Sequence, residues 1–235
     1  MKKILCCIVF FTSITVVFSL DTPTNTSPET ESIENTENDT PLIDTSSNLF
    51  FQMGTLIKVN TYDDSAPSPI LFSLGVGYDI PITSLISCTP QIHLFTNYYL
   101  WDSDNEQALP AAVENRTASV PAILLDVPAT FNFTFGSFIL GVQPALSFLL
   151  RYAYTAHNVT EDVSEDISNI NSWFYSDLHF FYPSLRISFD HFYKSGIKIG
   201  LSASAYVPIS SFTENNFPQN FICTISSRLF FPQRK

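Results

Sequence analysis

The chain is 235 residues long and carries 22 acidic side chains against 11 Lys and Arg, a formal net charge of −11. That balance excludes nucleic acid as a partner, because phosphate backbones are held by clustered basic residues. After the N-terminal segment no apolar run reaches helix-spanning length. An ordinary helical membrane protein is therefore excluded, but a barrel is not, since its strands need only ~9–11 residues with every second one apolar.

Residues 1–19 read as a signal peptide. Lys2 and Lys3 supply a positive n-region, Ile4–Phe18 is apolar, and Val17 and Ser19 are small enough for a cleavage site after Ser19. Cleavage takes the formal charge to −13 and removes Cys6 and Cys7. Residues 20–47 are rich in Thr, Ser, Asn and acids, with seven acidic residues and no base. Such a segment cannot bury enough apolar surface to offset its ordering entropy, so a disordered acidic leader is expected.

From Asn48 to Phe231 the sequence alternates with period two. The first strand, Asn48–Asn60, sets Leu49, Phe51, Met53, Ile57 and Val59 against Gln52, Gly54 and Lys58. The second (Ile70–Ile80), third (Leu85–Leu100), fourth (Ala118–Phe133), fifth (Ser137–Tyr154) and sixth (Trp173–His191) repeat the pattern. In the seventh, Ile197, Ile199, Leu201, Ala203 and Ala205 oppose Lys198, Gly200, Ser202, Ser204 and Tyr206. The eighth, Phe221–Phe231, puts Cys223, Ile225 and Leu229 opposite Thr224, Ser226 and Arg228. Cys88 and Cys223 fall on the outward faces of non-neighbouring strands, which predicts two free thiols, because a disulfide needs Cα atoms within about 7 Å.

The connections carry as much information as the strands. Asp79–Ser84, Thr134–Gly136 and Phe192–Gly196 are short, whereas Thr61–Ser68, Trp101–Thr117, Thr155–Ser172 and Pro208–Asn220 are long. Short and long connections in alternation predict an all-β fold, an eight-stranded antiparallel up-and-down transmembrane β-barrel. Its short turns would be periplasmic with both termini, and its long loops extracellular. The long loops hold eleven acidic residues, among them Asp63, Asp102, Asp104, Glu106, Glu165 and Asp166, against Arg116 alone. An extracellular ligand could meet these loops, although a solvated face explains the charge more simply.

Aromatic residues gather at the predicted strand ends, as in the girdles of membrane barrels. Tyr98, Tyr99, Trp101, Tyr152, Tyr154, Trp173 and Tyr175 fall towards the long loops; Phe131, Phe133, Phe135, Phe192, Tyr193, Phe230 and Phe231 fall towards the short turns. Pro90, Pro121, Pro128, Pro144 and Pro183 interrupt the predicted strands. A closed barrel has no edge on which to hide a missing donor, so bulges or shorter strands are required.

In this register Lys58, His93, Asp126, Arg151, Arg186, Asp190, Lys198 and Arg228 point inward. The sequence predicts a lumen ion network from them: Asp190, Lys198 and Arg228 close to the Phe192–Gly196 turn, and Asp126, Lys58, His93 and Arg186 at mid-height. Eight-stranded interiors are filled by side chains, so such pairs would close the tube. No cofactor or metal is implied. Ser87, His93 and Asp126 share the interior, yet no spacing marks a nucleophile elbow or a metal site, so no enzyme is expected.

The signal peptide, eight alternating strands, three tight turns and four long loops together resemble small bacterial outer-membrane barrels, nearest in type to the OmpA transmembrane domain, OmpX and OmpW families. The resemblance is architectural and covers Asn48–Phe231. It implies an outer-membrane protein among lipid, assembled by the barrel-assembly machinery with Phe231 as the terminal aromatic signal, although residues 232–235 follow it. The OmpA type implies a salt-bridged interior. The OmpW type implies passage of small hydrophobic molecules through a lateral opening, for which the prolines of strands three to six would loosen the wall. A small channel and a soluble exported β-protein are the alternative readings.

Overall fold

The computed structural model describes residues 48–59, 70–112, 116–155, 161–193, 197–213 and 220–231. The predicted signal peptide, leader and C-terminal tail lie outside them. Ten strands form one antiparallel sheet: β1 (Asn48–Lys58), β2 (Ile70–Pro81), β3 (Ile86–Cys88), β4 (Gln91–Asp102), β5 (Gln107–Pro110), β6 (Ala118–Phe135), β7 (Phe138–Arg151), β8 (Phe181–Phe192), β9 (Lys198–Tyr206) and β10 (Ile222–Phe231). Two helices interrupt it, α1 (Glu161–Tyr175) and α2 (Ser210–Thr213).

β3 and β4 are two pieces of one stave, broken at Thr89–Pro90, and both lie between β2 and β6. β1 pairs with β2 on one side and with β10 on the other, which returns the sheet to its start. The wall is thus an eight-stave antiparallel barrel, as the alternation predicts. β5 is extra, folding back on the far end of β4 within the long Trp101–Thr117 connection.

The pleat sorts the residues. Gln52, Lys58, His93, Asp126, Arg151, Arg186, Lys198 and Arg228 are buried inside, while Phe51, Phe72, Leu94, Val127, Leu146, Leu201 and Ile225 are exposed outside. Cys88 and Cys223 are unbridged, on β3 and β10. Three assignments of the aromatic girdles are corrected: Tyr99 and Phe230 are buried inside the barrel, and Phe192 faces inward opposite Lys198. Tyr99 shares the inward parity of His93 and Asn97, and Phe230 that of Arg228.

The prolines are accommodated by ladder ends and interruptions. In an antiparallel strand the N–H and C=O of one residue face the same neighbour, so bonded carbonyls locate the missing donors. Pro90 and Pro128 accept from Tyr78 (3.0 Å) and Thr89 (3.5 Å) at the β3/β4 break. Pro121 accepts from Tyr152 and Pro183 from Val207, each one residue past the last ladder pair on that side. Pro144, by the same alternation, turns its nitrogen towards β6 where the β6–β7 ladder is interrupted.

The predicted sixth strand is too long. Its first residues end α1, and β8 starts only at Phe181. α1 was readable in the spacing of Val163, Ile167, Ile170 and Phe174 (i, i+4, i+7, i+11), an apolar stripe within an acidic segment. Ile170 and Phe174 are buried with Tyr99, Ala108, Ala118, Val120 and Ala153, capping the long-loop mouth. The helix also satisfies the edge of β7 that β8 leaves bare. Asn171 accepts from the Ala153 N–H (2.8 Å) and donates to its carbonyl (3.1 Å). The Tyr175 hydroxyl treats Arg151 likewise, accepting at 3.2 Å and donating at 2.7 Å.

Candidate functional site

The lumen is layered from the short turns to the long loops. In the lowest layer Asp190 on β8 meets two cations from the next staves, Arg228 Nη2 at 2.6 Å and Lys198 Nζ at 3.7 Å. Lys198 also reaches Asp79 of β2 at 3.6 Å, and lies 3.8 Å from the centroid of the Phe230 ring. Gly200 faces Asp190 across the ladder, and a Cβ there would run into the carboxylate. The glycine makes room for the pair. A polar recess of about 60 Å³, bordered by Ser87, Thr89, Thr130 and Ser188, opens beside this layer.

The middle layer centres on Arg186. Its Nε donates to Ser204 at 2.6 Å, and its Nη2 donates to Asp126 at 2.7 Å and Tyr206 at 2.8 Å. The Tyr206 hydroxyl donates in turn to Asp126 at 2.9 Å. Arg186 Nη2 also lies 3.0 Å from His93 Nε2. The same ring nitrogen stands 3.4 Å from Asp126 Oδ2. Gln52 links His93 (3.1 Å) to Gln91 (3.2 Å).

Above it comes an apolar layer of Leu56, Phe95, Ala122, Leu124, Leu149, Tyr182 and Ile222. Beyond that layer lie Lys58 and Arg151. Lys58 donates to the Tyr99 hydroxyl, and Arg151 to the same hydroxyl at 3.0 Å and to the His179 carbonyl at 2.9 Å. The Arg151 guanidinium also lies 4.1 Å from the Phe174 ring centroid, under α1. Among the described residues, no carboxylate forms an ion pair with either cation.

The predicted set therefore divides into three. Asp190, Lys198 and Arg228 come together, joined by Asp79, which the sequence reading left in the turn. Asp126, His93 and Arg186 also come together. Lys58 does not join them: the apolar layer separates it, and it pairs with Arg151 around Tyr99. Tyr99 and Tyr206 are the missed members, and their inward parity was the available signal. Ser87 accepts from Asn132 at 3.0 Å, away from His93 and Asp126.

At the tip of the β4–β5 hairpin, beyond the aromatic belt, Asp102 is already committed. The Asn105 amide at 2.9 Å holds its carboxyl below the usual range, with Gln107 and the Asp104 and Asn105 N–H groups adding to it. This acid is a turn builder.

The chain is similar to small outer-membrane barrels. Neisserial surface protein A aligns over 78% of this chain and 95% of its own, at 8% identity and a TM-score of 0.47. Ail, the attachment invasion locus protein of Yersinia pestis, solved with a heparin analogue, aligns over 78% and 94% at 8% identity and 0.41. The outer-membrane enzyme PagL aligns over 77% and 99% at 11% identity and 0.39. No family model and no curated protein matches.

Proposed function

We propose that this chain is an integral β-barrel of the bacterial outer membrane with a structural or surface-interaction role. The observation that carries the reading is the outer wall. Phe51, Phe72, Leu74, Leu94, Val127, Leu146, Leu201 and Ile225, from staves around the ring, are all exposed apolar residues. A soluble protein rarely exposes so large a continuous apolar patch, whereas hydrocarbon is its proper solvent. Tyr152, Tyr154 and Tyr175 at one end, and Phe133, Phe135, Tyr193 and Phe231 at the other, are exposed where girdles belong.

The reading puts the short turns and termini in the periplasm and the acidic long loops outside, with Phe231 as the assembly signal. The three lumen layers and the α1 cap support a closed tube, which argues against axial conduction.

The test has two parts. Heat-modifiable gel migration with detergent-dependent solubility is expected, and a species soluble without detergent would remove the membrane reading. On intact cells, protease should cleave within 101–117 or 155–172. Protection there with cleavage of the short turns would reverse the orientation. Planar bilayers should show no discrete openings.

A further inference from the structure

At the short-turn end the lumen keeps a recess that the ion pairs do not fill. The β6–β7 ladder is interrupted between Pro128↔Ala145 and Phe131↔Val142, and Thr130 and Gln143 enter the recess from that break. Two glycines hold its walls back. A Cβ on Gly141 would strike Ser188 Oγ, and one on Gly200 would strike the Asp190 carboxylate. At the rim Thr83, Ser84 and Thr134 are exposed, while Thr130, Gln143 and Ser188 within are buried. The recess, about 60 Å³, therefore opens past the short turns. With ~30 Å³ as the share of one liquid water, it has room for a molecule of a few non-hydrogen atoms.

Its lining is charge-balanced yet incompletely bonded. Asp79 and Asp190 face Lys198 and Arg228, so the signs cancel. The Lys198 ammonium stands 3.6 and 3.7 Å from the two carboxylates, beyond ordinary hydrogen-bond reach. Arg228 and Gln143, each 2% exposed, meet the same inward face of β8. Arg228 Nη2 donates to Asp190, and Gln143 Nε2 donates to Ser188. Those two positions are next but one in sequence, about 7 Å apart along a strand. Each side chain keeps one polar atom without a partner among the described residues: Arg228 Nε, a donor, and Gln143 Oε1, an acceptor. A singly charged guest would unbalance the recess, and unpaired buried charge is costly. A zwitterion adds no net charge and supplies both missing partners.

We propose that this recess binds a small zwitterionic amino acid that enters past the short turns. Its carboxylate meets Arg228 and Lys198. Its ammonium meets Gln143 Oε1, with Asp79 and Asp190 adding negative field. The volume restricts the guest to the smallest members of the class, glycine first. The site goes beyond the structural role proposed above and rests on the lumen alone, whichever way the barrel is oriented.

The isotope-labelled protein, folded in dodecylmaltoside, is titrated with glycine, acetate, methylammonium or acetamide at constant ionic strength. Binding is read by nuclear magnetic resonance from the shifts of Ser87, Thr130, Gln143 and Ser188. Glycine should move these signals saturably and bind about tenfold or more tighter than the other three, the scale of a hydrogen bond to a charged group. Gln143→Leu should cut glycine affinity about tenfold and leave acetate where it was. Gln143→Glu, which keeps the shape of the side chain, should tighten methylammonium and weaken acetate, and it carries the test if the leucine variant does not fold. Acetate binding as tightly as glycine would mark an anion site and overturn the proposal. Equal binding of methylammonium or of acetamide overturns it too, as a cation site or an uncharged one. So does folded protein in which glycine causes no saturable shift, the behaviour of a recess that holds only water. Glycine affinity unchanged in both Gln143 variants overturns it as well.

Discussion

Near the short turns, Arg228 and Lys198 share the carboxylates of Asp190 and Asp79; near the long loops, Lys58 and Arg151 meet a phenol, a carbonyl and an aromatic ring among the described residues. Between them Arg186 and Asp126 form a third arrangement, a pair embedded in a hydrogen-bonded network. Buried charge is costly unless paired. The lower and middle layers are therefore built to hold the tube shut, and loss of one partner there should be felt by the whole barrel. In the upper layer, by contrast, no carboxylate among the described residues forms an ion pair with Lys58 or Arg151. The same lumen is held by charge pairing at one end and by hydrogen bonds and aromatic packing at the other.

The largest effect follows from the middle layer. Asp126→Ala strands Arg186 among buried groups and should cost about 3–5 kcal/mol, read as a fall in the urea midpoint for unfolding from detergent. Asp126→Ala with Arg186→Met, which removes both charges, should recover most of that loss, since a buried pair is often replaceable by well-packed apolar groups. A single variant within about 1 kcal/mol of the parent would show that the network is not what holds the tube.

Next comes the cap. Phe174 is fully buried against Tyr99 and Arg151, and truncation of a buried phenylalanine to alanine costs about 3–5 kcal/mol. That cost should fall on α1, which packs on β4 and β5 without belonging to the wall. Phe174→Ala is expected to raise protease cleavage within 155–175 several-fold while the heat-modifiable transition moves little. A transition that falls as far as in Asp126→Ala would make cap and wall one cooperative unit.

The wall was legible because period-two alternation is local: Ile197–Tyr206 declares both faces whatever its neighbours do. The lower ion network was legible for the same reason, since Asp190 and Lys198 flank a short turn that sets them close. Lys58 was misplaced because parity tells inside from outside but not height. Only the β1–β2 and β1–β10 registers reveal that Leu56 and its apolar layer intervene. α1 was hidden by its charge, and its four apolar positions are meaningful only at helical spacing.

The smallest effect is the sharpest measure of the contrast between layers. Lys58 is as deeply buried as any side chain of the barrel, yet its recorded partners are Tyr99 and, through it, Arg151. Lys58→Met keeps the length of the stem, loses one hydrogen bond and relieves a buried cation that no described carboxylate balances. Loss of the bond is worth about 0.5–1.5 kcal/mol, and relief of charge opposes it. The variant should therefore unfold within about 1 kcal/mol of the parent, read by the same urea midpoint. A loss as large as that of Asp126→Ala would mean that the upper layer is held by its charge as the lower ones are. The difference between the two ends of the lumen would then be one of geometry alone.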